Sequence, residues 1–245
     1  MERRVRKRDQ AGRSMLDRGA PGLWPPEPID RALLGRLAVW WVVLTATGVV
    51  VGEFVTGFGR GSTITRFDQR ASEWVAARRT PRLDAVSRLG SALSDSSVKV
   101  VATVLVCAVF LWAWRRWHEA ALVGASLILE AAAFLTITLV VRRARPEVTP
   151  LDDSPVDSSF PSGHTAAATV YAAVAVVVFR HTDRTWARVL SVVLAGALPI
   201  VVGASRWYRG MHFVSDIVAG VALGAATLVV TARLLPRPPT RSTVG

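Results

Sequence analysis

Cysteine is almost absent: Cys107 is the only one in 245 residues, and it lies within an apolar run. That excludes an intramolecular disulfide and any site built on several thiolates. Histidine is scarce too. His118, His164, His181 and His212 are the full set, too scattered to suggest a multi-histidine metal site. Lysine is rarer still, with only Lys7 and Lys99 among 30 basic residues. Eighteen acidic residues leave a formal net charge of +12. Charged residues make up 20% of the chain against 51% hydrophobic, and the mean hydropathy is +0.35. Soluble domains carry about 25% charge. Low charge content with a large net charge means that basic and apolar residues are segregated along the chain. Disorder is excluded by the same numbers, and a nucleic-acid-binding role fits poorly with so apolar a body.

Six apolar runs fill most of the sequence, at about Leu37 to Phe58, Val98 to Trp114, Ala120 to Val141, Gly163 to Phe179, Val189 to Ser205 and Phe213 to Ala232. A membrane helix needs roughly 17–25 residues to cross about 30 Å of hydrocarbon. A soluble bundle would have to cover six such runs, and no sequence remains to do so. The expected fold is therefore all-α: a polytopic, six-helix membrane domain over residues 35–235. Residues 1–34 read as a basic, disordered cytoplasmic tail, with no signal-peptide pattern, and residues 236–245 as a second disordered tail. Between spans one and two, residues 59–97 carry apolar positions at helical spacing. Phe67, Ala71, Trp74 and Val75 form one set, and Leu83, Val86, Leu89 and Leu93 another. Two amphipathic helices at the external membrane surface are expected, their faces packing on the bundle rather than gating it. With the N-terminus inside, 17 basic residues fall on the cytoplasmic side and 12 on the other, a modest positive-inside bias.

Three polar clusters interrupt the apolar pattern: Arg142-Arg143-Ala144-Arg145-Pro146, Pro161-Ser162-Gly163-His164, and Ser205-Arg206 followed by His212 and Asp216. The first ends span three, the second begins span four, and the third bridges spans five and six. Parity of the crossings puts all three on one side, opposite the N-terminus. Several guanidiniums at one site make an oxyanion clamp. Gly163 permits close backbone approach, and the amides opening span four form an anion cradle that Ser162 can cap or extend. His212 and Asp216 are one helical turn apart, so the carboxylate can orient the ring. His164 is the only other histidine on that side. Two histidines, one of them oriented, suit a division into nucleophile and general acid. The matching target is a tetrahedral oxyanion, phosphate or diphosphate.

These residues resemble the type 2 phosphatidic acid phosphatase (PAP2) superfamily, membrane lipid phosphatases related to vanadium haloperoxidases. The family pattern is Lys, six residues, Arg-Pro; then Pro-Ser-Gly-His; then Ser-Arg, five residues, His, three residues, Asp. Arg145-Pro146 fits the end of the first motif, and the second and third match completely. The resemblance implies that His212 attacks phosphorus with Asp216 holding it. His164 then protonates the leaving oxygen, and Arg145, Arg206, Ser162 and the Gly163 amide hold the phosphoryl oxygens. It implies a double displacement without metal or cofactor, on a lipid phosphate or isoprenoid diphosphate of the plasma membrane, at an extracytoplasmic site. An undecaprenyl-diphosphate-like substrate is the first expectation, with phosphatidate or phosphatidylglycerophosphate close behind. A lipid phosphotransferase and a non-catalytic lipid-phosphate-binding protein are the rivals. Oligomeric state is not legible.

One position departs from the pattern. The family's leading lysine is replaced by Thr138, and Arg142 or Arg143 is expected to compensate. Glu130, mid-span, is expected to hydrogen-bond within the bundle. Arg209 is expected to contact lipid. The glycine pairs Gly48/Gly52 and Gly220/Gly224 permit close helix packing.

Overall fold

The computed structural model describes residues 31–56, 63–114, 117–153 and 157–235. The expected tails at 1–30 and 236–245, and Arg115 and Arg116, lie outside them. Among the described residues every regular element is helical: α1 (Arg31–Thr56), α2 (Thr63–Ala76), α3 (Pro81–Ala92), α4 (Ser96–Trp114), α5 (Trp117–Val140), α6 (Gly163–Val170), α7 (Ala172–His181), α8 (Thr185–Tyr208) and α9 (Val214–Leu234). Helix α1 begins at Arg31, so residues 31–34, expected in the tail, are its first turn.

Five helices are long and apolar enough to cross a membrane: α1, α5, α6 with α7 as one 19-residue span, α8 and α9. Helices α3 and α4 pass the same test only when taken together, bent by 50° at their junction as a broken span or a re-entrant loop, which makes five or six crossings among the described residues. The chain is a multi-pass membrane protein, and its outer faces show why. Trp112 is 83% exposed and Leu139 73%, with Ile128 and Ile200 similarly bare, a surface suited to hydrocarbon. Helix α8 runs about a turn beyond the apolar run at each end, because its polar flanks continue the helix to interfacial positions.

Helix α6 sits at the centre, packed against α9, α8 and α5. Small residues make this possible. A Cβ at Gly220 would lie 2.5 Å from the Ser162 carbonyl oxygen, and one at Gly224 2.3 Å from that of Ala166. The glycine pair thus serves contact within the chain. Two buried clusters flank the packing: Ala133, Ile137, Val141, Phe160, Ala166 and Leu223 near the motif-bearing end, and Phe110, Leu122, Val123, Ala173, Val177 and Leu228 further along. At the opposite end, buried Glu119 binds Arg180 (3.1 Å) and His181 (2.7 Å), tying α5 to α7.

Two amphipathic helices form, but most of their expected apolar positions face outward, with Val75 turned inward. Helix α3 starts where Thr80 caps the Leu83 amide and Pro81 takes the first helical position. Asp68, Ser72 and Val75 of α2, and Ser87, Gly90 and Ser91 of α3, turn toward the protein. Phe67 (62% exposed) and Leu89 (72% exposed) face outward, as do Trp74 and Val86. The polar sides find charged partners on the bundle, and the apolar sides are left for lipid.

Candidate active site

An open cavity of about 580 Å³ lies where the three motif segments meet. Arg145, Gly163, His164, Arg206 and His212 all line it, although they come from four separate places in the chain. His164 enters in the first turn of α6, Arg206 from the last turn of α8, and His212 from the turn before α9. Arg145 projects from the segment that follows α5.

The His212 ring is 4% exposed, and its Nδ1 donates to the Ser159 carbonyl at 2.7 Å. The protonated nitrogen is thereby fixed as Nδ1, which leaves Nε2 with its lone pair. Burial, then the Arg206 and Arg145 charges, holds His212 well below the ordinary histidine range, against the pull of the Ser159 bond. The shift favours the neutral ring, the form in which a histidine can act as nucleophile.

Asp216 does not hold that ring directly. Its Oδ2 lies 3.9 Å from Nδ1, and accepts instead from the Phe213 amide at 2.8 Å. The carboxylate caps α9, and the Asp216 carbonyl receives the Ser162 amide at 3.0 Å. Asp216 therefore fixes the turn that carries His212 and the loop that opens α6. It sits in a buried ion cluster with Arg143, whose other nitrogen reaches Asp68 at 2.9 Å. Ser215 joins by donating to Asp68 and accepting from Arg143 at 2.7 Å. Arg143 also lies over the Phe213 ring at 4.4 Å. This cluster anchors α2 to the start of α9.

His164 Nε2 lies 3.4 Å from Asp95 Oδ1, and the His164 carbonyl accepts from Ser94 at 2.7 Å. Arg206 gives Nη1 to Ser91 (3.0 Å) and to Asp152 (3.2 Å). Its Nε is buried without a hydrogen-bond partner, a donor held in reserve. Arg145 bonds the Met211 carbonyl, and reaches that of Ser158 at 3.4 Å. Burial pulls its guanidinium below the ordinary value, offset by Asp216 and Asp157, and an arginine remains ionised under such conditions. Gly163 is required by packing: a Cβ there would meet the Phe134 ring at 2.7 Å. Ser162 is fully buried behind the cavity wall, its hydroxyl paired with Thr165 at 2.9 Å.

Two sequence expectations take a different form. Arg142 is exposed and Arg143 is spent in the ion cluster; neither lines the cavity, so neither occupies the place of the missing lysine. Arg209 is 3% exposed and does not reach lipid. It clamps Asp152 through Nε (2.6 Å) and Nη2 (2.5 Å). Burial alone would raise the Asp152 carboxyl, but the bonds and charges of Arg209 and Arg206 leave it below its ordinary value.

Sequence reasoning missed Asp95, Asp152, Ser159, Arg88 and Lys99. None lies in a motif, and each reaches the site through tertiary packing. The one available signal was Asp152 in a loop between two arginine-bearing segments.

A PAP2 superfamily model matches residues 119–238, which include every motif residue of the cavity. The chain carries a PAP2 superfamily domain over these residues. Phosphatidylglycerophosphatase B of Bacillus subtilis is 37% identical over 34% of this chain and 42% of its own. Decaprenylphosphoryl-5-phosphoribose phosphatase of Mycobacterium tuberculosis is 35% identical over 45% of this chain and 58% of its own. The match thus spans about half the length of these curated relatives. A transmembrane PAP2-type phosphatidylglycerolphosphate phosphatase from Bacillus subtilis shares the fold. It has a TM-score of 0.67 and 24% identity, over 80% of this chain and 92% of its own. LpxE of Aquifex aeolicus aligns with a TM-score of 0.53 and 21% identity, over 68% of this chain and 95% of its own.

Proposed function

We propose that this PAP2 protein is a phosphatase acting on lipid-linked phosphate through a phosphohistidine on His212. The observation that carries the reading is the His212 ring, its Nδ1 donating to the Ser159 carbonyl, in a cavity shared with His164, Arg145 and Arg206. Nε2 forms a bond to phosphorus as the bond to the leaving oxygen breaks, and His164 gives that oxygen its proton. Water then attacks phosphorus, its proton passes to His164, and the P–N bond breaks. Arg145 and Arg206 stabilise the equatorial oxygens in both steps, and the amides opening α6 add a fixed dipole.

A lipid substrate follows from the setting. Arg88, Ser91 and Ala92 of α3 line the open cavity while Val86 and Leu89 of the same helix are exposed, so a headgroup can enter while its chains stay in hydrocarbon. The basic residues favour a cytoplasmic N-terminus and an extracytoplasmic cavity. The relatives' names favour phosphatidylglycerophosphate or a polyprenyl-linked phosphate, alongside the undecaprenyl-diphosphate-like substrate first expected. The test is phosphate release by the purified protein in detergent, with EDTA present, from a panel of these lipids. Release from at least one of them is expected. No release from any, or strict dependence on added Mg²⁺, contradicts the reading.

A further inference from the structure

The leading lysine of the PAP2 pattern falls at Thr138, whose hydroxyl donates back to the Phe134 (3.1 Å) and Leu135 (2.9 Å) carbonyls of its own helix. It supplies no charge, and Arg142 and Arg143 are both directed elsewhere. The cavity nevertheless holds two cations besides Arg145 and Arg206, namely Arg88 of α3 and Lys99 of α4. Arg88 is exposed, at the rim. Lys99 is half-buried and lies in a well-anchored stretch.

Asp95 immediately precedes α4, and positions 95, 99 and 103 follow at one-turn spacing, so they line one side of the chain there. That side meets His164 of α6 and Tyr171, the residue between α6 and α7. Asp95 reaches the His164 ring, the Lys99 amide donates to the Asp95 carbonyl (2.8 Å), and Thr103 meets the Tyr171 hydroxyl (3.2 Å). Tyr171 in turn donates to the Lys99 carbonyl at 3.0 Å. The Lys99 backbone is thus held between His164 and Tyr171, with its side chain in the cavity wall. Among the described residues its ammonium forms no ion pair, whereas Arg206 and Arg209 are already committed to Asp152.

We propose that Lys99 binds the phosphoryl group of the substrate, supplying from α4 the charge that Thr138 lacks on α5. A lysine ammonium suits this place because it acts as a point charge and can approach from a different helix without bidentate geometry. The inference rests on the phosphatase reading for its chemistry, but its test does not.

The chain has only two lysines, so Lys7→Arg protein leaves Lys99 as its sole lysine side chain. That protein is acetylated in its folded state, with and without orthovanadate as the phosphate mimic. Acetylation at Lys99, read by mass spectrometry, is expected to weaken orthovanadate binding at least ~10-fold and to lower kcat/KM about 10²-fold. Orthovanadate is expected to slow the acetylation. Full acetylation with unchanged orthovanadate affinity overturns the proposal. Orthovanadate binding without hydrolysis of any lipid would overturn the phosphatase reading instead.

The competing role for Lys99 is as counter-charge to the buried Glu130 of α5. Lys99→Met is expected to lose about 10²-fold in kcat/KM, Lys99→Arg less than ~10-fold, and Arg142→Ala almost nothing. Adding Glu130→Gln to Lys99→Met is expected to restore no activity. Full recovery in that double variant overturns the phosphoryl-binding role.

Discussion

Replacing His212 with alanine is expected to lower phosphate release at least ~10⁴-fold while leaving the protein folded. The size of the effect follows from what the side chain does. Its Nδ1 is held by the Ser159 carbonyl, which leaves Nε2 to attack, and removing a nucleophile forfeits the whole covalent route. Folding is expected to survive because the ring's hydrogen bond is a single one, to the Ser159 carbonyl. His164→Ala is expected to cost less, about 10²–10⁴-fold, since a general acid assists a departure that can still occur without it. Steady-state phosphate release on the preferred lipid, with melting curves as a control, measures both. Equal, small losses in the two variants would remove both histidines from these roles.

Replacing Arg143 with methionine is expected to have the largest effect on stability. Two carboxylates, Asp68 and Asp216, share this one guanidinium at 0–5% side-chain exposure. Removing it leaves two buried negative charges without their cation, a loss of about 3–5 kcal/mol when a buried pair is broken. That corresponds to roughly 10 °C in melting temperature for a chain of this length. Arg142, next in sequence but exposed, provides the contrast: Arg142→Ala is expected to stay within about 0.5 kcal/mol of wild type. Thermal unfolding in detergent reads both. Equal melting of the two variants would mean that the cluster does not hold α2 against α9.

The spans and the convergence of the motifs were legible because each depends on local pattern. Apolar runs are set by hydrocarbon thickness, and parity alone brings Arg145, His164 and His212 to one end. What could not be read was the pairing inside the site. Sequence spacing put Asp216 one turn from His212, yet in the folded chain the nearer acceptor is the Ser159 carbonyl, and Asp216 caps the helix instead. The same limit applies to Arg142 and Arg143. Adjacent arginines look interchangeable until Asp68, 75 positions away, claims one of them. Most of the apolar positions of α2 and α3 were read in reverse for a similar reason. Their polar stripe meets buried charge, and in a bilayer apolar side chains need no protein partner.

The stereochemical course at phosphorus tests the central claim most directly. A substrate phosphoryl group made chiral with oxygen isotopes and sulfur is hydrolysed, and the configuration of the released thiophosphate is determined. Each in-line displacement inverts phosphorus, so capture by His212 followed by water gives net retention. Net inversion would mean that water attacks the lipid phosphate in one step and that His212 never carries the group.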